Sequence, residues 1–162
     1  MKIEKKDIEE AHERTAPHLH RTPVLSSQAI NEMAGAELFF KCENFQKTGS
    51  FKPRGALNSV LSLSEEEKAK GVATHSSGNH GQALAWAARQ QGIKAYVVMP
   101  DNSPKVKMEA VKGYGAEVIL CTSNLASRES ELEKVQARTG AVFIPPYNFR
   151  NTIVGQATCA KE

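Results

Sequence analysis

From Gly71 onward, short apolar runs alternate with helical patterns, and this alternation constrains the fold more than any other feature of the chain. Val72-Ala73-Thr74-His75, Ala95 to Pro100, Glu117 to Cys121 and Ala141 to Ile144 read as four strands. The first is followed by a helix carrying Ala83, Leu84, Ala87 and Ala88. After the second, Ser103 caps and Pro104 opens a helix to about Lys112, stopped by Gly113 and Gly115. A third helix, from about Asn124 to Thr139, is apolar at Leu125, Leu132 and Val135, and Gly140 ends it. Strands separated by whole helices pair in parallel through right-handed crossovers. The expected fold is α/β: an open parallel sheet with helices on both faces, in three α/β/α layers.

Residues 1–68 follow another plan. The charged stretch 4–14, with only Ile8 and Ala11 apolar, reads as a surface helix. His18 to Leu25 is extended and broken by Pro23. His18 and His20 would share one strand face, but no third metal ligand is near, so they read as ordinary polar residues. Ser26 or Ser27 caps a helix that ends before Gly35, and Leu38 to Glu43 reads as an aromatic strand. The charge run Ser64 to Gly71 reads as a solvated connector and a domain boundary. The expected division is therefore 1–68, then a small α/β domain at 69–147, then 148–162 leaving it.

Composition narrows the class. Of 162 residues, 40% are hydrophobic and 24% charged, a globular balance with no apolar run of membrane-spanning length. The net charge of +3 comes without a basic stripe or interleaved aromatics, which argues against a nucleic-acid partner. Met1 to Lys6 holds no apolar leader. Cys42, Cys121 and Cys159 are odd in number and far apart, which argues against a disulfide framework or a zinc site. A cytoplasmic home is expected.

Two stretches carry chemistry. In Thr48-Gly49-Ser50-Phe51-Lys52-Pro53-Arg54-Gly55-Ala56, Pro53 suits a first helical turn and pushes Lys52 out of α geometry, to the helix mouth. The positive end of the helix dipole and burial beside Phe51 both favour the uncharged amine. A neutral lysine so held can form an imine with a carbonyl compound. Arg54 braces the loop beneath it. Ser76-Ser77-Gly78-Asn79-His80-Gly81 lies between the first strand of the α/β unit and its helix. Backbone N–H groups at such a junction bind a carboxylate or phosphate. The run matches neither the dinucleotide nor the P-loop fingerprint.

Together the Lys47–Ala56 and Ser76–Gly81 runs resemble the two motifs of the fold-type II pyridoxal-phosphate enzymes, and among them the serine racemases and serine/threonine dehydratases. The resemblance runs through nearly the whole chain, including Thr22-Pro23-Val24-Leu25, with minor departures at Pro53 and at Ala157, where glycine is usual. It implies that Lys52 carries the cofactor as a Schiff base, that Phe51 packs beside the ring, and that Asn79 bonds the ring hydroxyl. It also implies that Ser76, Ser77, Asn79 and His80 line the substrate site, with Arg128 reaching it. Lys52 and Ser77 would serve the two faces of the substrate carbanion. Many dehydratases carry alanine where Ser77 stands, so Ser77 leans toward racemisation. Small hydroxyamino acids, serine and threonine, are the implied substrates, and a homo-oligomer is expected. Residues 1–68 and 148–162 correspond to parts of the family's larger domain. Its glycine-rich phosphate loop, its pyridine-nitrogen partner and its acidic ligands for a divalent cation have no counterpart here. The competing expectation is a non-catalytic homologue whose α/β unit binds a small carboxylate or another subunit.

Overall fold

The computed structural model describes residues 1–162. The four expected strands form one parallel sheet: β3 (Val72–His75), β4 (Ala95–Pro100), β5 (Glu117–Cys121) and β6 (Val142–Phe143). Their order is β5-β4-β3-β6, so the chain winds outward from β3 through β4 to β5 and then returns to its other side. The carboxyl ends of β3 and β6 therefore flank the point where the winding reverses. Before the sheet come α1 (Lys5–Thr15), β1 (Val24–Leu25), α2 (Gln28–Ala34), β2 (Phe40–Lys41), α3 (Lys52–Leu61) and α4 (Glu65–Lys70). Within and after it lie α5 (Asn79–Gln90), α6 (Lys105–Gly113), α7 (Leu125–Thr139) and α8 (Arg150–Lys161).

Alternation along β3 and β4 separates two cores. Val72, Val97 and Met99 pack on one side with the alanine-rich face of α5, Val111 of α6, and Ala56, Leu57 and Val60 of α3. Ala73 and Val98 face the other way, against Leu132 and Val135 of α7. Helices thus cover both faces of the sheet, as expected. Burying each of the valine, leucine and methionine side chains here stabilises the fold by about 1.5–3 kcal/mol.

The close crossing of α3 and α8 needs glycine on both helices. A Cβ at Gly155 would stand 2.6 Å from the Arg54 carbonyl oxygen and 2.7 Å from Gly55 Cα. A Cβ at Gly55 would meet the Thr152 carbonyl oxygen at 2.6 Å. Backbone cannot yield as a flexible side chain does, so Gly155→Ala is expected to destabilise by about 1–3 kcal/mol. Urea unfolding measures this, and an unchanged midpoint would mean that the helices part freely.

Several local expectations change. Ser64 to Gly71 is not a bare connector: α4 forms there because Ser64 Oγ accepts from the Glu67 N–H while Glu67 accepts from the Ser64 N–H. The expected strand at 38–43 shrinks to β2, antiparallel to β1, because Glu43 turns inward to meet Arg54. Pro104, not Ser103, occupies the cap of α6. Helix α1 buries Ala11 and Thr15 and packs on α8 and α3, so it is not wholly a surface helix. His20 Nδ1 pairs with the Phe45 carbonyl, 3.0 Å away.

Candidate active site

Lys52 is the first residue of α3 itself rather than an extended residue ahead of it. Its Nζ donates to the Pro146 carbonyl at 2.8 Å and stands 5.1 Å from the centre of the Phe51 ring. Burial lowers its pKa from the ordinary lysine value, raising the share of free amine at neutral pH. The Phe51 ring keeps an exposed face.

The Ser76–Gly81 loop leaves β3 at the carboxyl edge of the sheet, where the Ser76 N–H bonds the Val98 carbonyl at 2.9 Å. Gly81 keeps the loop close. A Cβ there would stand 3.0 Å from Val97 Cγ1 and 3.3 Å from the Ser76 carbonyl oxygen. Ser76 Oγ accepts from the Gly78 N–H, while Ser77 is exposed at the mouth of α5. Asn79 is also exposed, and its Oδ1 accepts from Lys107 at 2.5 Å.

His80 points inward. It is 3% exposed, and its Nε2 lies 2.9 Å from the Ile144 carbonyl oxygen. A carbonyl only accepts, so Nε2 carries the proton and Nδ1 is left as a buried acceptor without a partner. Burial pushes its pKa down to about 4, with further lowering from Lys52 and His75, so the ring is neutral near pH 7. His75, at the end of β3, stacks on Phe143 of β6 at 5.7 Å. Arg128, in the first turn of α7, and its neighbour Glu129 both reach this end of the sheet: burial lowers the pKa of His75, Glu129 raises it and Arg128 lowers it. Arg128 Nε is buried without a partner.

The turn after β6 ties these parts together. Three successive carbonyls accept side-chain donors from three helices: Ile144 from His80, Pro145 from Thr152 at 3.2 Å, and Pro146 from Lys52. The lysine of α3 and the loop at the head of α5 thus share one anchor beside the point of reversal. In open α/β sheets ligands bind at that crevice. The 580 Å³ concavity lined by Lys68, Lys70, Lys94, Tyr96 and Arg138 lies at the amino ends of the strands, away from this chemistry.

Arg54 is fully buried and braces the site from behind. Its guanidinium forks onto Glu43 at 2.7 and 2.8 Å and onto Glu162 at 2.9 and 3.1 Å. Lys41 also reaches Glu162, at 2.6 Å, and Thr22 donates to Glu43 at 2.6 Å. Sequence reasoning placed Arg54 but missed Glu43, Glu162 and Lys107. Nowhere do three or more His, Cys, Asp or Glu side chains group so as to hold a metal ion. No helix is long and apolar enough to cross a membrane.

The family model described as "Pyridoxal-phosphate dependent enzyme" matches residues 15–162. The chain belongs to that family. It is 52% identical to the serine racemase of Dictyostelium discoideum over 157 residues, 97% of this chain and 48% of that protein. It is also 52% identical to the beta-hydroxyaspartate dehydratase of Paracoccus denitrificans (strain Pd 1222), over 96% of this chain and 50% of that one. Among solved structures it matches maize serine racemase with a TM-score of 0.94 at 51% identity, covering 96% of this chain and 47% of that one. The chain of this pyridoxal-phosphate family member spans about half the length of the curated relatives it matches. Its residues fit the reactive end of pyridoxal phosphate: a half-buried lysine amine of lowered pKa and an exposed Asn79 amide with free N–H donors.

Proposed function

We propose that this chain supplies the lysine-bearing half of an amino-acid racemase or dehydratase acting on small hydroxyamino acids, serine and threonine foremost. One observation carries the reading. Lys52 and the Ser76–Gly81 loop, far apart in sequence, are held by the same turn at the reversal point of the sheet. Pyridoxal phosphate, when bound, supplies an electron sink that acidifies the substrate Cα–H. Lys52 holds the cofactor and then moves the proton on one face of the substrate carbon. Ser77, exposed at the head of α5, is the proton donor or acceptor for the other face. Backbone N–H groups at the head of α5, with Ser76, take the substrate carboxylate, and Arg128 adds positive charge nearby. His80, neutral and inward-facing, holds the floor of the site through Ile144 and bounds the substrate from below. Phe51 packs beside the cofactor ring.

Reprotonation by Ser77 gives the opposite enantiomer. Loss of the β-hydroxyl instead gives a keto acid and ammonia after hydrolysis. The packing of α8 on α1 and α3 supports assigning residues 1–68 and 148–162 to one larger domain, with 69–147 as the smaller one. The cofactor phosphate, its pyridine nitrogen and a divalent cation are held by residues outside these 162, in a cytoplasmic homo-oligomer.

Mixing the protein with pyridoxal phosphate and borohydride tests the reading by intact mass and peptide mapping. A single adduct on Lys52 at low cofactor excess is expected. Adducts scattered over many lysines would sink it. In the assembled enzyme, Ser77→Ala is expected to slow racemisation by roughly 10²-fold or more while dehydration falls much less. Chiral chromatography beside keto-acid release measures both, and equal losses would remove Ser77 from its role.

A further inference from the structure

We propose that Lys107 is a positioning residue for Asn79: it takes up the amide oxygen and so turns the amide N–H pair toward the cofactor. The inference rests on the cofactor reading above, which aims Asn79 at the ring hydroxyl.

Lys107 Nζ stands 2.5 Å from Asn79 Oδ1. An ammonium carries three donors and no acceptor, so only the oxygen end of the amide can face it. That fixes which way the side chain is turned. Asn79 Nδ2 makes no hydrogen bond within the protein, and Lys107 has no acidic partner to draw it elsewhere. Both residues stand at helix starts, Asn79 first in α5 and Lys107 third in α6. The two helices pack on each other and share one core on the same face of the sheet, so rigid backbone supports each end of the bond.

Electrostatics adds to orientation. A full positive charge one hydrogen bond behind the amide polarises its N–H groups and strengthens what they donate. Such a donor prefers an ionised oxygen to a neutral hydroxyl. Lys107 therefore favours the ring oxygen in its ionised form without touching it.

The test uses isotope-labelled 162-residue chains of wild type, Lys107→Met and Lys107→Arg. Side-chain amide resonances of Asn79 are recorded first. Pyridoxal phosphate is then titrated in, with absorbance and borohydride mapping at Lys52. Lys107→Met is expected to move the Asn79 amide pair, weaken cofactor binding roughly tenfold and shrink the absorption band of the ionised ring oxygen. Lys107→Arg is expected to restore all three. Backbone resonances elsewhere report that each variant keeps its fold. An Asn79 amide pair unmoved in Lys107→Met overturns the proposal. So does an unchanged band in a chain that does load at Lys52. If no variant loads at Lys52 while the Asn79 resonances still follow Lys107 and return with arginine, the positioning stands and the cofactor reading falls.

Discussion

Replacing Lys52 with alanine is expected to abolish the borohydride-trapped adduct and to cut any racemisation or dehydration by the assembled enzyme roughly 10³-fold or more. No other lysine combines half-burial with a place at the reversal point of the sheet. Lys107 touches the loop but stands beyond Asn79, and Lys41 is committed to Glu162. The nucleophile is the uncharged amine, and burial lowers the pKa of Lys52 in the direction that supplies it. In wild type the amine rests on the Pro146 carbonyl, a single hydrogen bond that it can surrender to a carbonyl ligand. Peptide mapping decides the matter. A stoichiometric adduct persisting in Lys52→Ala would place the chemistry elsewhere.

Replacing Arg54 with methionine is expected to lower stability by about 3–5 kcal/mol, the usual consequence of removing one partner from a buried ion cluster. Against a typical domain stability of about 5–15 kcal/mol, this removes a fifth or more of the margin. Two carboxylates would lose their fork, and only Lys41 and Thr22 would remain to hold them. Arg54→Lys should fall between, because an ammonium cannot bridge both carboxylates with paired, planar bonds. The same cluster sets an acid limit. Desolvation would raise the Glu162 carboxyl, but hydrogen bonds from Arg54 and Lys41 win and hold it at about 2, below its ordinary 4.5. Glu43 is lowered in the same sense, with hydrogen bonds from Arg54 and Thr22 outweighing desolvation. A carboxyl depressed by folding stabilises the native state above its unfolded value. That contribution is full above about 4.5 and fades as pH falls toward 2. Denaturant midpoints measured down this range should drop in wild type and flatten in Arg54→Met. A parallel fall in both would exclude the cluster as the cause.

The sheet was legible because its signals are local. Val72–Thr74, Val97–Val98 and Val118–Ile119, rich in β-branched residues, alternate with helices whose ends are marked by Gly71, Gly115 and Gly140, and each cue acts within a few residues. Lys52 and the Ser76–Gly81 loop were legible for a different reason, since their residue order is distinctive. Helix α4 could have been read from Ser64 and Glu67, whose spacing is that of a reciprocal cap, but the charge run hid it. What stayed hidden spans the chain. Glu162 lies 108 residues from Arg54, and Lys107 lies 28 from Asn79. No periodicity links such pairs. The anchors of Lys52 and His80 are backbone carbonyls, which carry no residue identity at all.

The turn after β6 has one more consequence. Proline has no N–H, so Pro145 and Pro146 offer their surroundings oxygen atoms and nothing else. Three helices meet this rail of acceptors with three donors, and only Ile144 brings an N–H of its own, which donates to the Ala73 carbonyl. An alanine at either position would add an amide hydrogen to this half-buried turn, a donor that the present arrangement does not have to satisfy. Economy of donors, more than stiffness, is what two consecutive prolines give this corner.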